Sequence, residues 1–283
     1  MTKVFASDFD GTLFFRNFVP PRNEDGTPED FREHLRKAGS DRNLAGFDPE
    51  DIEAIRKFQK EGNLFGVVTG RAEPSLRDYL SRQIIPDFYV FSSGALIKDK
   101  DGNVISSSPM SAEDARWIFD HLDCVNWSLA TNRRFFQSDP SFPLAHASLG
   151  PDQLDLDHLQ DGEQIISLSM TLSSEDQAFA HLKSLENRPS VHGFANHSSL
   201  DLLAAGVSKK TGLETILSHY GVSKALSASI GDGMNDLPLL QGAKYGYTIA
   251  KAPQALKEEA CRIVDSVHEA MDDFEAECAK ASV

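Results

Sequence analysis

The sequence predicts an α/β protein: a doubly wound parallel sheet interrupted by an inserted α+β unit. Three observations carry this expectation. Residues 3–7 (KVFAS) form a short apolar run that breaks into the acidic turn DFDGT, the pattern of a buried strand feeding a loop. Further strand-like runs at 64–68 and 88–91 alternate with helical stretches, and such alternation implies parallel pairing. Between residues 106 and 189 the alternation gives way to hairpin-like strands and two helices that each carry their own start signal.

Taken in order, a polar stretch at 20–43 reads as loop with a helical piece at 28–37. Asp48 then offers an N-cap with Pro49 at the first helical position; Ile52, Ile55 and Phe58 share a face, and Gly62 stops the helix. After the strand at 64–68 come a helical segment at 75–82 and the strand at 88–91. Residues 99–103 (DKDGN) read as a hairpin turn. Ser111 caps a helix whose buried stripe is Ala115, Ile118, Phe119 and Leu122. Strands are expected at 127–131, 134–137 and 164–172, followed by a helix capped by Ser174 and Gln177 with Phe179, Leu182 and Leu185 inward. The core pattern resumes near Ser199. Ser208 caps a helix carrying Leu213, Ile216, Leu217 and Tyr220, strands follow at 225–230 and 245–250, and helical segments end the pattern, one of them holding Cys261 as a packing residue.

Composition narrows the partners. The chain carries 28 Lys and Arg against 43 Asp and Glu, a net charge of -15, so its long-range field repels nucleic acid and anionic membrane. A cation bound in a cleft can still reverse the local field and admit a small anion. Cys124, Cys261 and Cys278 have no CxxC spacing and read as free thiols of a reducing compartment, and no signal peptide or membrane span is visible, so a cytoplasmic location is expected. The nine histidines show no ligand spacing, and Arg133-Arg134 read as a solvated strand or turn.

The chemistry-bearing residues fall where strands end or helices begin. In a parallel sheet the carboxyl ends of the strands share one edge, so Asp8 to Thr12, Thr69 to Arg71 and Asp232 to Asp236 can converge from distant parts of the chain. Asp8, Asp10 and Asp232 supply hard oxygen ligands suited to Mg2+, and three clustered carboxylates repel one another unless a cation joins them. Beside such a cation Asp8 can act as nucleophile, and Asp10 can protonate a leaving alcohol and then deprotonate water. Gly11 lets backbone approach a phosphate, the Thr69 hydroxyl can hold a phosphoryl oxygen, and Lys209 adds charge to a helix N-terminus.

These motifs closely resemble those of the haloacid dehalogenase superfamily. Asp8-Phe9-Asp10-Gly11-Thr12-Leu13 is similar to its first motif and Val67-Val68-Thr69-Gly70-Arg71 to its second. Gly206-Val207-Ser208-Lys209 resembles the third, and Gly231-Asp232-Gly233-Met234-Asn235-Asp236 the fourth. The insert is similar to the type IIB cap of the Cof-like branch, and Phe91-Ser92-Ser93-Gly94-Ala95 resembles the strand before it, with Ser93 where Asn is usual. The segment 15–47 is longer than that branch normally carries. The resemblance implies a Rossmann-like core over 1–105 and 190–283, a mobile cap over 106–189 and a magnesium cofactor. It also implies phosphate contacts from the Phe9 and Gly70 backbone and from Thr69, Lys209 and Asn235, with Asp236 orienting Lys209 or the metal shell and Gly11 and Arg71 in support. The activity it implies is phosphatase action on a small phosphorylated metabolite. A phosphotransferase or phosphomutase, or a regulatory binding protein that keeps the fold without turnover, are the alternatives.

Overall fold

A computed structural model describes residues 1–14, 46–76, 84–139 and 148–281. The helical piece expected at 28–37, most of the segment expected at 75–82 and His146 lie outside those residues. The strands are β1 (Val4–Ser7), β2 (Leu64–Val68), β3 (Phe88–Phe91), β4 (Leu96–Asp99), β5 (Val104–Ser107), β6 (Asn126–Thr131), β7 (Phe135–Gln137), β8 (Ile165–Thr171), β9 (Val191–Asn196), β10 (Ser199–Ala204), β11 (Ser227–Gly231), β12 (Tyr245–Ile249) and β13 (Arg262–Val264). The helices are α1 (Pro49–Lys60), α2 (Glu73–Leu76), α3 (Ala112–His121), α4 (Glu175–Ser184), α5 (Lys209–His219), α6 (Leu237–Gly242), α7 (Gln254–Glu259) and α8 (Val267–Ala281).

The strands form two sheets. The larger has the order β13-β12-β11-β1-β2-β3-β4-β5, with its first six strands parallel and the β4–β5 hairpin antiparallel on one edge. Its alternating side chains feed two cores. Phe5 joins Phe58 of α1, Phe65 and Phe274 of α8 on one face, while Val4 and Ala6 join Val68, Val90, Leu213, Ile216 and Leu239 on the other. Helices therefore cover both faces, as the uniformly apolar runs require.

The smaller sheet, β7-β6-β8-β10-β9, is antiparallel throughout. One face is apolar: Leu129, Leu168, Met170, Leu200 and Leu202 pack with Ala115, Ile118 and Leu122 of the α3 segment and Ala178 and Leu185 at α4. The other face carries small polar groups. Ser128, Ser169 and Asp201 lie in register across β6, β8 and β10, with Ser167 two residues along β8.

The capping signals are realised. Asp48 accepts from the Glu50 amide, Ser111 from the Asp114 amide, Ser174 from the Gln177 amide and Ser208 from the Thr211 amide. Four local expectations are corrected. Ser199–Ala204 joins the second sheet beside a strand the sequence reading missed, Val191–Asn196, so the parallel pattern resumes only after Ala204. Phe179 points outward at 58% exposure, because Ala178, Leu182 and Leu185 form the inward stripe and the next position is turned about 100° away. Cys261 is exposed and precedes the edge strand β13 instead of sitting in a helix. Arg134 is half-buried and partnered: its guanidinium grips Glu163 at 2.6 and 2.8 Å and lies over the Phe136 ring. Burial works against that Glu163 charge, yet the Arg134 and Thr131 hydrogen bonds pull its carboxyl down to about 2.

One buried acid ties the two helices of the Phe5 face together. Asp51 of α1 accepts the His268 amide at 2.7 Å, capping α8, and its Oδ1 lies 3.1 Å from His268 Nδ1. Its Oδ2 is buried without a partner. Burial pushes the Asp51 carboxyl up to about 6, with the His268 bonds opposing. A carboxyl raised on folding stabilises the native state while protonated, and that contribution disappears as pH rises from about 4 to about 6. Asp51→Asn lacks this loss. Relative to wild type it should therefore gain about 2 kcal/mol between pH 4.5 and 7.5, measured by urea unfolding at both values. A difference that does not change with pH would contradict the assignment.

Candidate active site

The carboxyl ends of β1, β2 and β11 lie side by side, because β1 pairs β11 and β2 in parallel register. Asp8 leaves β1 there, 5% exposed, with its amide bound to the Ile230 carbonyl of β11 at 2.9 Å. Lys209, the first residue of α5, is 1% exposed and reaches under the same edge. Its Nζ donates to Asp8 Oδ1 at 2.6 Å and to Asp236 Oδ1 at 2.5 Å. Asp236 Oδ2 in turn accepts the Asp232 and Gly233 amides at 3.1 and 3.0 Å. One carboxylate thus shapes the β11 loop and fixes the lysine.

The electrostatics are unbalanced. Asp8, Asp232 and Asp236 each offer an oxygen within 4.8 Å of the others, three carboxylates against one ammonium. Burial raises Asp8 well above the usual carboxylate range and the Asp236 charge adds to this, while Lys209 opposes it. Burial likewise raises Asp232, again reinforced by Asp236, with the Thr12 hydroxyl and Lys209 opposing. Burial disfavours the charge on Lys209, but Asp236 and Asp8 outweigh it and hold its pKa above the ordinary lysine value. An all-oxygen cluster with surplus negative charge fits a hard divalent cation. Thr12 donates to Asp232 Oδ1 at 3.3 Å, and Gly11 lies at φ +85, where a Cβ would stand 2.3 Å from Asp232 Oδ2. Only glycine meets both demands.

The structure brings Asp8, Asp232, Asp236, Lys209 and Thr12 together. It does not bring the Asp10 carboxylate into that group. Arg71 takes it in a two-point ion pair, Nε to Oδ2 at 2.5 Å and Nη2 to Oδ1 at 2.7 Å, so the third acid of the cluster is Asp236. Thr69 is buried after β2, and its hydroxyl accepts the Arg71 amide at 3.1 Å. Phe9 is fully buried and stacks on Phe14, which anchors the loop backbone at 8–12. Asn235 is half-buried in the loop after β11.

The turn after β3 braces this edge. Ser92 and Ser93 both occupy the left-handed region, at φ 46 and 51. Each such non-glycine residue costs about 1 kcal/mol. The turn is held because Ser92 donates its amide to the Arg71 carbonyl and Ser93 to that of Thr69, both at 2.9 Å. Gly94, at φ +115, sits against the Ser208 carbonyl, where a Cβ would come within 2.5 Å. The second sheet meets the same turn: the Ser92 and Ser167 hydroxyls share a 2.8 Å hydrogen bond. Asp201 of β10, which the sequence reading did not single out, approaches Gly70. Its signal was one acid inside the otherwise apolar run LDLLA.

Comparison with known proteins agrees with this architecture. The family model of the haloacid dehalogenase-like hydrolases matches residues 42–271. A 5-amino-6-(5-phospho-D-ribitylamino)uracil phosphatase of Bacillus subtilis is 19% identical over 221 residues, covering 77% of this chain and 82% of its own. An HMP-PP phosphatase of Cronobacter sakazakii is 22% identical over 218 residues, covering 72% of this chain and 78% of its own. Among solved structures, a haloacid dehalogenase-like hydrolase from B. subtilis superimposes with a TM-score of 0.73 at 16% identity, over 97% of this chain and 99% of that one. The phosphatase BT1666 from Bacteroides thetaiotaomicron gives 0.70 at 20% identity, over 100% and 96%. Among the described residues no helix is long and apolar enough to cross a membrane. With the family model spanning most of the chain and the fold shared end to end, the chain belongs to the haloacid dehalogenase-like hydrolases.

Proposed function

We propose that the chain is a magnesium-dependent phosphatase that hydrolyses small phosphorylated metabolites through an aspartyl phosphate on Asp8. The observation that carries this is the buried Asp8–Lys209–Asp236 chain lying beside Asp232 at the carboxyl edge of the parallel sheet. Relatives named as phosphatases of small molecules support the same reading.

Lys209 holds Asp8 Oδ1 and so aims the other carboxylate oxygen at an incoming phosphorus. Asp8 forms a bond to phosphorus while the ester P–O bond breaks, and the leaving oxygen takes a proton from Asp10. A water then attacks phosphorus, gives its proton to Asp10 and releases Asp8 and inorganic phosphate. Lys209, Thr69, the Phe9 and Gly70 amides and Asn235 hold phosphoryl oxygens, and their charge and dipoles are placed before the reaction begins. Asp8 and Asp232 would hold magnesium, which when bound offsets the surplus negative charge of the cluster and of the phosphoryl group. Arg71 holds the Asp10 carboxylate in a two-point ion pair. Donation in the first half requires the guanidinium to move off that carboxyl.

The test is phosphate release from p-nitrophenyl phosphate, sugar phosphates and phosphorylated cofactors. Protein stripped by a chelator should be inactive, magnesium should restore turnover, and zinc should restore it poorly because no Cys or His ligand is in the cluster. Full turnover without metal, or no phosphate from any ester, would overturn the proposal.

A further inference from the structure

The polar face of the second sheet ends in an acid that none of the steps above uses. Asp201 stands opposite Ser169 in the β10–β8 ladder, and the Ser169 hydroxyl donates to its Oδ1 at 2.6 Å. That bond fixes the carboxylate plane and leaves Oδ2 turned toward the larger sheet. An ideal Cβ built on Gly70 would lie 3.6 Å from Asp201 Oδ2 and 3.7 Å from Ser93 Oγ. A carboxylate oxygen and a hydroxyl therefore both face Gly70, in the loop proposed to hold the phosphate. Burial raises the Asp201 carboxyl, while the Ser169 bond and the charge of Lys209 oppose this.

A carboxylate here repels the phosphate itself, which the Lys209 side of the cleft attracts. Its natural partner is a hydrogen-bond donor on the part of the substrate just beyond the ester oxygen. The second sheet is positioned for this. Ser167 touches Ser92 in the same turn, and β9 approaches the 234–236 loop, so the polar face roofs the catalytic edge.

We propose that Asp201 is a specificity residue that accepts a hydrogen bond from a hydroxyl or ammonium group on the leaving group, held in place by Ser169. This rests on the phosphatase reading and adds to it the class of leaving group: a polyol or amino alcohol in preference to an apolar one. A leaving group without a donor leaves Asp201 Oδ2 unmatched, which is how polar sites reject analogues.

The experiment compares matched esters with magnesium present: glycerol 3-phosphate with propyl phosphate, and phosphoethanolamine with ethyl phosphate. Wild type should favour the donor-bearing member of at least one pair by about tenfold or more in kcat/KM, the size of one hydrogen bond to a charged acceptor. In Asp201→Asn and Asp201→Ala most of that ratio should disappear, through KM more than kcat. Asparagine keeps an oxygen for Ser169, so the test survives if the alanine variant fails to fold. Preference in the first pair alone identifies a hydroxyl, and in the second alone an ammonium. Equal treatment of both members by wild type, or an unchanged ratio in the variants, overturns the role of Asp201 and leaves the phosphatase reading standing. No hydrolysis of any ester by wild type overturns both.

Discussion

Asp8→Asn should fold as the parent does and release phosphate at least ~10³-fold more slowly, since loss of the proposed nucleophile leaves only binding and electrostatic assistance. The amide keeps the shape of the carboxylate. Lys209 retains Asp236 at 2.5 Å, so the buried ammonium still has a charged partner. Relief of the crowding that raises Asp8 offsets part of the lost ion pair. The measurement is phosphate release at saturating magnesium, with circular dichroism melts alongside. A variant that melts like wild type and turns over within tenfold of it would remove Asp8 from the reaction.

Lys209→Met should lose stability as well as activity. It removes the one ammonium of the cluster and leaves Asp8, Asp232 and Asp236 facing each other. Breaking a buried pair from one side costs about 3–5 kcal/mol because the remaining charge is stranded. The sign with pH follows from the same carboxyls. Asp8 and Asp232 are already raised by burial, and loss of Lys209 removes an opposing influence on each. Groups raised on folding stabilise the native state when protonated, so the deficit should shrink as pH falls and grow as pH rises. Added magnesium should recover more stability in the variant than in wild type. Urea unfolding at two pH values, with and without magnesium, measures this. A deficit independent of both would mean the lysine serves packing alone.

Much of this site was legible in the sequence because its parts have local signatures. Buried strands read as apolar runs, Ser111, Ser174 and Ser208 announce their helices, and Asp8, Thr69, Lys209 and Asp232 stand at the junctions. What was not legible depends on direction and partnership. Spacing placed Asp10 beside Asp8, but it could not show that Arg71 would take its carboxylate and that Asp236 would complete the acid cluster. LDLLA reads equally well as a strand of either sheet, because apolar content does not name the neighbour. Its antiparallel pairing with β8 decides the matter, and that pairing is what gives Asp201 its place. Phe179 illustrates the limit for helices: a large apolar residue one position off the stripe is exposed, while the small Ala178 is buried.

The strand order also governs how the molecule acquires its activity. Residues 126–204 of the smaller sheet find their partners within one stretch of chain, so that unit can form from short-range contacts. β1 cannot, since Val4 lies between Leu64 on one side and Ser227 on the other. The central strand thus waits for a neighbour made long after it, and until β11 docks, Asp232 and Asp236 are not beside Asp8. Loop closure over so long a span is slow. Chemistry is therefore the last property to appear during refolding: the antiparallel sheet should gain hydrogen-exchange protection first, and magnesium binding should arise together with protection of β1 and β11.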